Sequence, residues 1–236
     1  MQYTLDFQSL GLTPSDILYE MGYRKVMPEE EILSSVYSIF NKVEIITKPS
    51  CTFRIFDGEV KEGIVRLHNQ GEMHTGETIS GLLKGSTRFA LFAATAGKEF
   101  QAFQEEIKQE GNMLHIFILD MIGSCIAEKA GDQMELLLEK EIAGYRHTHR
   151  FSPGYCGWSL MEQKELFRLL GGAPCGIVLS DVCLMSPIKS ISGIIGIGTV
   201  VNEKQYGCQF CELETCYKRK DIKKSEKSEK SEKLRS

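Results

Sequence analysis

From Ile32 onward, apolar residues return at Val36, Ile39, Phe40 and Val43, the spacing of a helix with one buried face. Glu29, Glu30 and Glu31 follow Pro28 and place negative charge where the helix dipole favours it. A shorter helix comes before it. Thr13-Pro14-Ser15-Asp16 offers a cap, a proline at the first helical position and an acid in the first turn. Pro49 ends this N-terminal helical segment, set at residues 1–50.

Beyond it the period changes to two. Cys51 to Phe56 alternates, Asp57-Gly58 suits a turn, and Ile64 to Leu67 continues as strand. Residues 87–95 are mostly apolar, which predicts a buried strand. Helices follow at 98–109 and 113–142. The second carries Leu114, Phe117, Ile118, Met121, Cys125 and Ile126 on one stripe, and Gly123, Ser124 and Gly131 either allow close approach by another backbone or merely weaken the helix. A loop at 143–158 leads to a helix at 159–170, which Gly171-Gly172 terminates. Residues 176–185 and 191–201 read as the last strands. Hairpins mixed with long helices predict an α+β fold: a twisted, mainly antiparallel sheet with long packed helices, occupying 51–217.

Composition adds limits. The chain has 236 residues, with 42% hydrophobic and 25% charged, enough for a real core. No apolar run is long enough for a membrane span. The first residues lack a basic region followed by an apolar stretch, so a cytoplasmic location is expected, with the eight cysteines reduced. From Lys218 onward nine Lys/Arg oppose four Asp/Glu, a net of +5; with −4 overall, residues 1–217 carry −9. An acidic body argues against a nucleic-acid-binding surface. The tail, 218–236, repeats Ser-Glu-Lys and is too polar to offset its ordering entropy.

The chemistry is concentrated in a few places. Gly193, Gly196 and Gly198 are in the wrong order for a dinucleotide fingerprint and read as strand glycines that permit close packing. His147 and His149 have no accompanying metal-ligand pattern and read as a polar loop. No catalytic triad can be assigned from spacing. The loop Arg150-Phe151-Ser152-Pro153-Gly154-Tyr155 combines a permanent cation, a tight turn, accessible backbone and an aromatic face. Arginine can clamp a carboxylate, and tyrosine can stack on a purine or meet a cation. An ordinary surface turn is the plain alternative.

Arg-x-x-x-Gly-Tyr between a long helix and another helix resembles the S-adenosylmethionine loop of the reactivation domains of cobalamin-dependent methionine synthase. Leu160 to Phe167 resembles the helix after that loop. Met185-Ser186-Pro187-Ile188-Lys189-Ser190-Ile191-Ser192-Gly193 resembles the family's Met-x-Pro-x-x-Ser-x-Ser-Gly segment. Ala94 to Gly97 and Asp120 to Glu128 resemble segments of free-standing members, and the likeness spans about 15–217. The resemblance implies that Arg150 holds the methionine carboxylate. Ser152 and Gly154 would offer backbone contacts, Tyr155 would line the site, and Glu128 would face the ligand's amino group. For Glu128 a solvated helix residue is the plain alternative. It also implies a partner: a corrinoid-binding protein or methionine synthase modules carrying cobalamin, with an electron donor such as flavodoxin. The family pattern continues Gly-Tyr-Pro-x-Cys-Pro, whereas this chain reads Cys156-Gly157-Trp158-Ser159. Trp158 would either pack on the ligand or fill its space.

Cys208, Cys211 and Cys216 form a second cluster. Two thiolates three apart with a third nearby suit zinc or an iron–sulfur cluster, and three free thiols are the alternative. Cys156, Cys175, Cys183 or a second subunit would supply a fourth ligand. The functional expectation is adenosylmethionine binding in support of corrinoid reactivation, as a component of a methyltransferase system. The alternative is a non-catalytic adaptor with a structural metal cluster.

Overall fold

The computed structural model of the chain describes residues 1–24 and 26–201. The tail at 218–236 and the cluster of Cys208, Cys211 and Cys216 lie outside the described residues.

The chain opens with strand β1 (Gln2–Thr4) and then two helices, α1 (Pro14–Glu20) and α2 (Glu30–Ile46). The Thr13 hydroxyl accepts from the Asp16 N–H while the Asp16 carboxylate accepts from the Thr13 N–H, so the expected cap is a full capping box. Strands β2 (Ser50–Lys61), β3 (Ile64–Leu67) and β4 (Gly71–His74) form a meander, followed by a short helix α3 (Gly76–Leu82) and the buried strand β5 (Arg88–Thr95). Helices α4 (Lys98–Glu110) and α5 (Met113–Glu141) come next. Gly111 closes α4 at φ 74°, and the Asn112 side chain caps α5 by accepting from the Leu114 and His115 N–H groups. The last described elements are β6 (Arg146–His147), α6 (Gln163–Leu170), the two-residue strands β7 (Val178–Leu179) and β8 (Met185–Ser186), and β9 (Ser190–Gly198).

Among the described residues the main sheet has seven strands in the order β4-β3-β2-β5-β9-β6, with β1 also on β2, and its pairings are antiparallel. The expected α+β class and antiparallel sheet are therefore observed. The first hairpin turn differs from expectation. Asp57 and Gly58 lie inside β2, where the strand passes from pairing with β5 to pairing with β3, and the chain reverses at Glu62-Gly63. Both turn residues have positive φ, 52° and 77°, the geometry of a tight hairpin turn. Residues 176–185 are not one strand. A 3-10 turn and two short strands replace it, because Cys175 and Cys183 sit at positive φ and interrupt extension.

Helix α5 separates two apolar clusters. Ile118, Leu119, Ile122 and Ile126 pack with Phe7, Ile17, Val36, Phe40 and Phe103 from the N-terminal helices and α4. Ala130, Met134 and Leu138 pack with Phe53, Phe92 and Ile195 of the sheet. One helix serving two clusters needs a broad apolar surface; of the stripe expected from the sequence Ile118 and Ile126 are buried, whereas Phe117 is 49% exposed. The remaining polar edge of α5 is where the candidate site forms.

Candidate functional site

Segment 146–151 runs along β9 and is registered on it by its backbone. Thr148 and Gly196 exchange contacts through the Thr148 N–H and hydroxyl, at 2.8 and 2.9 Å. Phe151 and Ile194 exchange both backbone hydrogen bonds, at 3.0 and 2.8 Å. Gly193 makes this approach possible. A Cβ there would run into the Phe151 carbonyl and come within 3.0 Å of the Phe92 ring. The glycines of β9 thus serve close packing, as the strand reading expects.

Held between these two points, Arg150 reaches the polar edge of α5. Its Nη2 lies 2.9 Å from Asp132 and 3.5 Å from Glu128, and its Nε lies 3.8 Å from Glu135. Its Nη1 donates to the Glu128 carbonyl oxygen at 3.4 Å. The guanidinium lies against Gly131: a Cβ at that position would overlap Nη1 and stand 3.0 Å from Cζ and 2.6 Å from Ile191 Cδ1. Arg150 remains 20% exposed. Glu128, Asp132, Glu135 and Glu139 recur at helical spacing, so one edge of α5 presents them together. Asp132 also meets Lys129 at 3.4 Å, and Glu139 meets His147 Nε2 at 3.3 Å. Burial pushes the Glu135 carboxyl above its usual range, more strongly than Arg150, His147 and His149 pull it down.

The structure brings Glu128 and Arg150 into contact, and the chain runs from Arg150 directly into the turn that holds Ser152, Gly154 and Tyr155. Tyr155 is 57% exposed and its ring is open to solvent. Gly154 has φ 94° and its N–H donates to the Trp158 carbonyl at 2.8 Å, while the Trp158 N–H donates to Tyr155 at 2.9 Å. The turn is therefore closed on itself. Gly154 has its carbonyl, not its N–H, to offer a ligand. Trp158 is 1% exposed, and its Nε1–H has no hydrogen-bond partner among the described residues. Its backbone sits near Gly76 at the start of α3. The indole thus belongs to the protein interior and anchors the far side of the turn.

Sequence reading missed Asp132, Glu135 and the role of Gly131. The signal was present as carboxylates at i, i+4 and i+7 from Glu128, but helix acids usually face solvent. Their partner Arg150 is remote in sequence. A similar seat occurs two turns earlier, where Lys189 crosses α5 at Gly123 and meets Asp120 at 2.7 Å and Ser124 at 2.9 Å. Among the described residues no group of three or more His, Cys, Asp or Glu is arranged to hold a metal ion. No helix among them is long and apolar enough to cross a membrane.

Comparison with solved structures finds the same fold. A crystal structure of the MetH reactivation domain bound to AdoHcy superposes with a TM-score of 0.59 at 14% identity, covering 88% of this chain and 80% of that one. No curated protein matches the sequence. The family model of the vitamin B12 dependent methionine synthase activation domain matches residues 83–212, more than half of the chain and all of the segment from β5 through the candidate site to β9. By that match, the chain belongs to the vitamin B12-dependent methionine synthase activation-domain family.

Proposed function

We propose that this protein binds S-adenosylmethionine at the Arg150 turn and supports reductive reactivation of a corrinoid carried by a partner protein. The observation that carries the reading is the Glu128–Arg150 pair at the start of the turn whose Tyr155 is exposed, in a chain of this family. The solved relative was crystallised with AdoHcy, the demethylated form of that ligand.

An amino-acid ligand carries one carboxylate and one ammonium. The Glu128–Arg150 pair has the opposite charges at 3.5 Å, with Glu128 63% exposed. Pairs this long and this exposed contribute only about 0–1 kcal/mol, so opening it is cheap. A ligand zwitterion entering between them would pair its carboxylate with Arg150 and its ammonium with Glu128, exchanging one ion pair for two. Asp132, at 2.9 Å, would keep the guanidinium in place during the exchange. Tyr155 offers a face for the adenine or the sulfonium. The bound nucleoside supplies an electrophilic methyl group. The protein's part is to bind and orient it for the cofactor of the partner.

A second reading is favoured by one observation. Arg150 already meets three carboxylates, as a retained structural cation would in an adaptor that has lost the ligand. Reconstitution separates the two. A corrinoid methyltransferase with its cofactor oxidised to the cob(II) state is incubated with a reductant, S-adenosylmethionine and this protein. The proposal predicts recovery of methyl transfer that needs all three additions. The adaptor reading predicts recovery no greater than without the protein.

A further inference from the structure

The structure assigns Gly131 and Asp132 as positioning residues: together they form a seat on α5 that fixes the Arg150 guanidinium for a ligand carboxylate. This inference rests on the adenosylmethionine reading and adds to it the two residues through which Arg150 would act.

Three observations converge on the seat. First, the guanidinium lies so close to Gly131 that any side chain there must displace it or Ile191. Glycine in a helix interior costs about 1 kcal/mol relative to alanine, so its presence in the middle of a 29-residue helix calls for a compensating contact. Second, Asp132 makes the shortest of the ion pairs to Arg150, and the remaining contacts, to Glu128 and Glu135, are longer by 0.6 and 0.9 Å. One carboxylate therefore anchors the head group while the others can yield. Third, the backbone on the C-terminal side of Arg150 is clamped to β9 through Phe151, so its side chain has one direction to extend. A carboxylate-binding arginine is selective only if its planar fork is held in one orientation, because a swinging guanidinium loses the geometric part of its advantage. Glycine supplies the flat support and Asp132 sets the rotation about it. The other charged groups facing this cluster are Lys129, Glu139, His147 and His149, and of these Lys129 shares Asp132.

The test compares two probes on the whole protein. S-adenosylmethionine has the carboxylate, whereas 5′-methylthioadenosine keeps the nucleoside and the sulfur but has no amino-acid tail. Asp132→Asn removes the anchoring charge at nearly constant shape, Asp132→Glu restores the charge, and Gly131→Ala lifts the guanidinium off the helix. Asp132→Asn and Gly131→Ala are expected to weaken S-adenosylmethionine by about tenfold or more, the scale of one charge-assisted bond, and to leave 5′-methylthioadenosine within about twofold. Asp132→Glu is expected to recover part of the loss. Equal weakening of both probes would mark a merely structural role and overturn the assignment, as would unchanged binding of S-adenosylmethionine by Asp132→Asn. If the wild-type protein binds no S-adenosylmethionine, the functional reading fails. The seat itself is then judged on the Arg150 Nη2–H resonances, the group that meets Asp132. Slow solvent exchange in the wild type that becomes fast in Asp132→Asn upholds it, and the same exchange rate in both overturns it.

Discussion

Replacing Trp158 separates the packing of its indole from the cost of its unpaired N–H. The side chain is 1% exposed and Nε1 has no hydrogen-bond partner among the described residues. Trp158→Ala removes the whole ring and should cost about 3–5 kcal/mol, the usual range for a buried aromatic. Trp158→Phe removes a smaller volume, about 40 Å³. At about 24 cal/mol per Å³ of cavity that is about 1 kcal/mol, with a similar loss from apolar transfer. Against this stands relief of a buried, unsatisfied donor, worth about 1–3 kcal/mol. The two nearly cancel, so Trp158→Phe should lie within about 1.5 kcal/mol of wild type. Urea denaturation followed by circular dichroism measures both variants, since Trp158 is the one tryptophan and its fluorescence is lost on substitution. A Trp158→Phe variant as unstable as Trp158→Ala would refute the reasoning and mean that the indole N–H is satisfied in the folded protein. The substitution also bears on the ligand site, because Trp158 closes the turn carrying Tyr155 through its carbonyl and N–H.

Further outcomes follow from the same packing and charges. Glu135 has a carboxyl raised above 4.5 by burial, so the native state holds its proton more tightly than the unfolded chain. Its contribution to stability is greatest below pH 4.5 and falls as pH rises through the native value. Glu135→Gln should therefore gain on wild type across that window in paired denaturation curves, and a constant difference with pH would contradict the assignment. Burial pushes Cys51 up to about 12 and Cys175 up to about 11, so both thiols stay protonated at pH 8 and should resist iodoacetamide until the protein unfolds. Because the unfolded thiols ionise from about pH 9, these two groups also take stability away as pH rises above that point. Gly193→Ala should destabilise by about 1–3 kcal/mol through overpacking against Phe151 and Phe92, and an unchanged melting temperature would refute the close-approach role of that glycine.

Much of the architecture was legible because its signals are local. The cap at Thr13, the glycines that end α6 and the apolar run of β5 each act within a few residues, and those features lie where the sequence places them. Residues 71–82 gave no such signal. Strand β4 is short and mostly exposed, and α3 is a seven-residue helix with glycine at its first position. The hairpin turn was misplaced because Asp57-Gly58 has turn chemistry but is held extended by pairing with neighbours on both sides. Within the site, Arg150, Glu128 and Tyr155 stood out by resemblance to a family. Asp132 and Glu135 did not, because a helix carboxylate shows its purpose only when its partner, here an arginine beyond the helix, is known. The orientation of Trp158 was equally hidden. An isolated tryptophan beside a glycine suits either a ligand wall or the interior.

The central claim is that the Arg150 turn holds the amino-acid end of S-adenosylmethionine. Calorimetric titration of the purified protein with that ligand, wild type against Arg150→Ala, tests it most directly. Saturable binding that weakens by about 1.5–3 kcal/mol in the variant, the scale of a charge-assisted hydrogen bond, is the predicted result. No heat of binding in the wild type, or equal affinity in the two proteins, would contradict it.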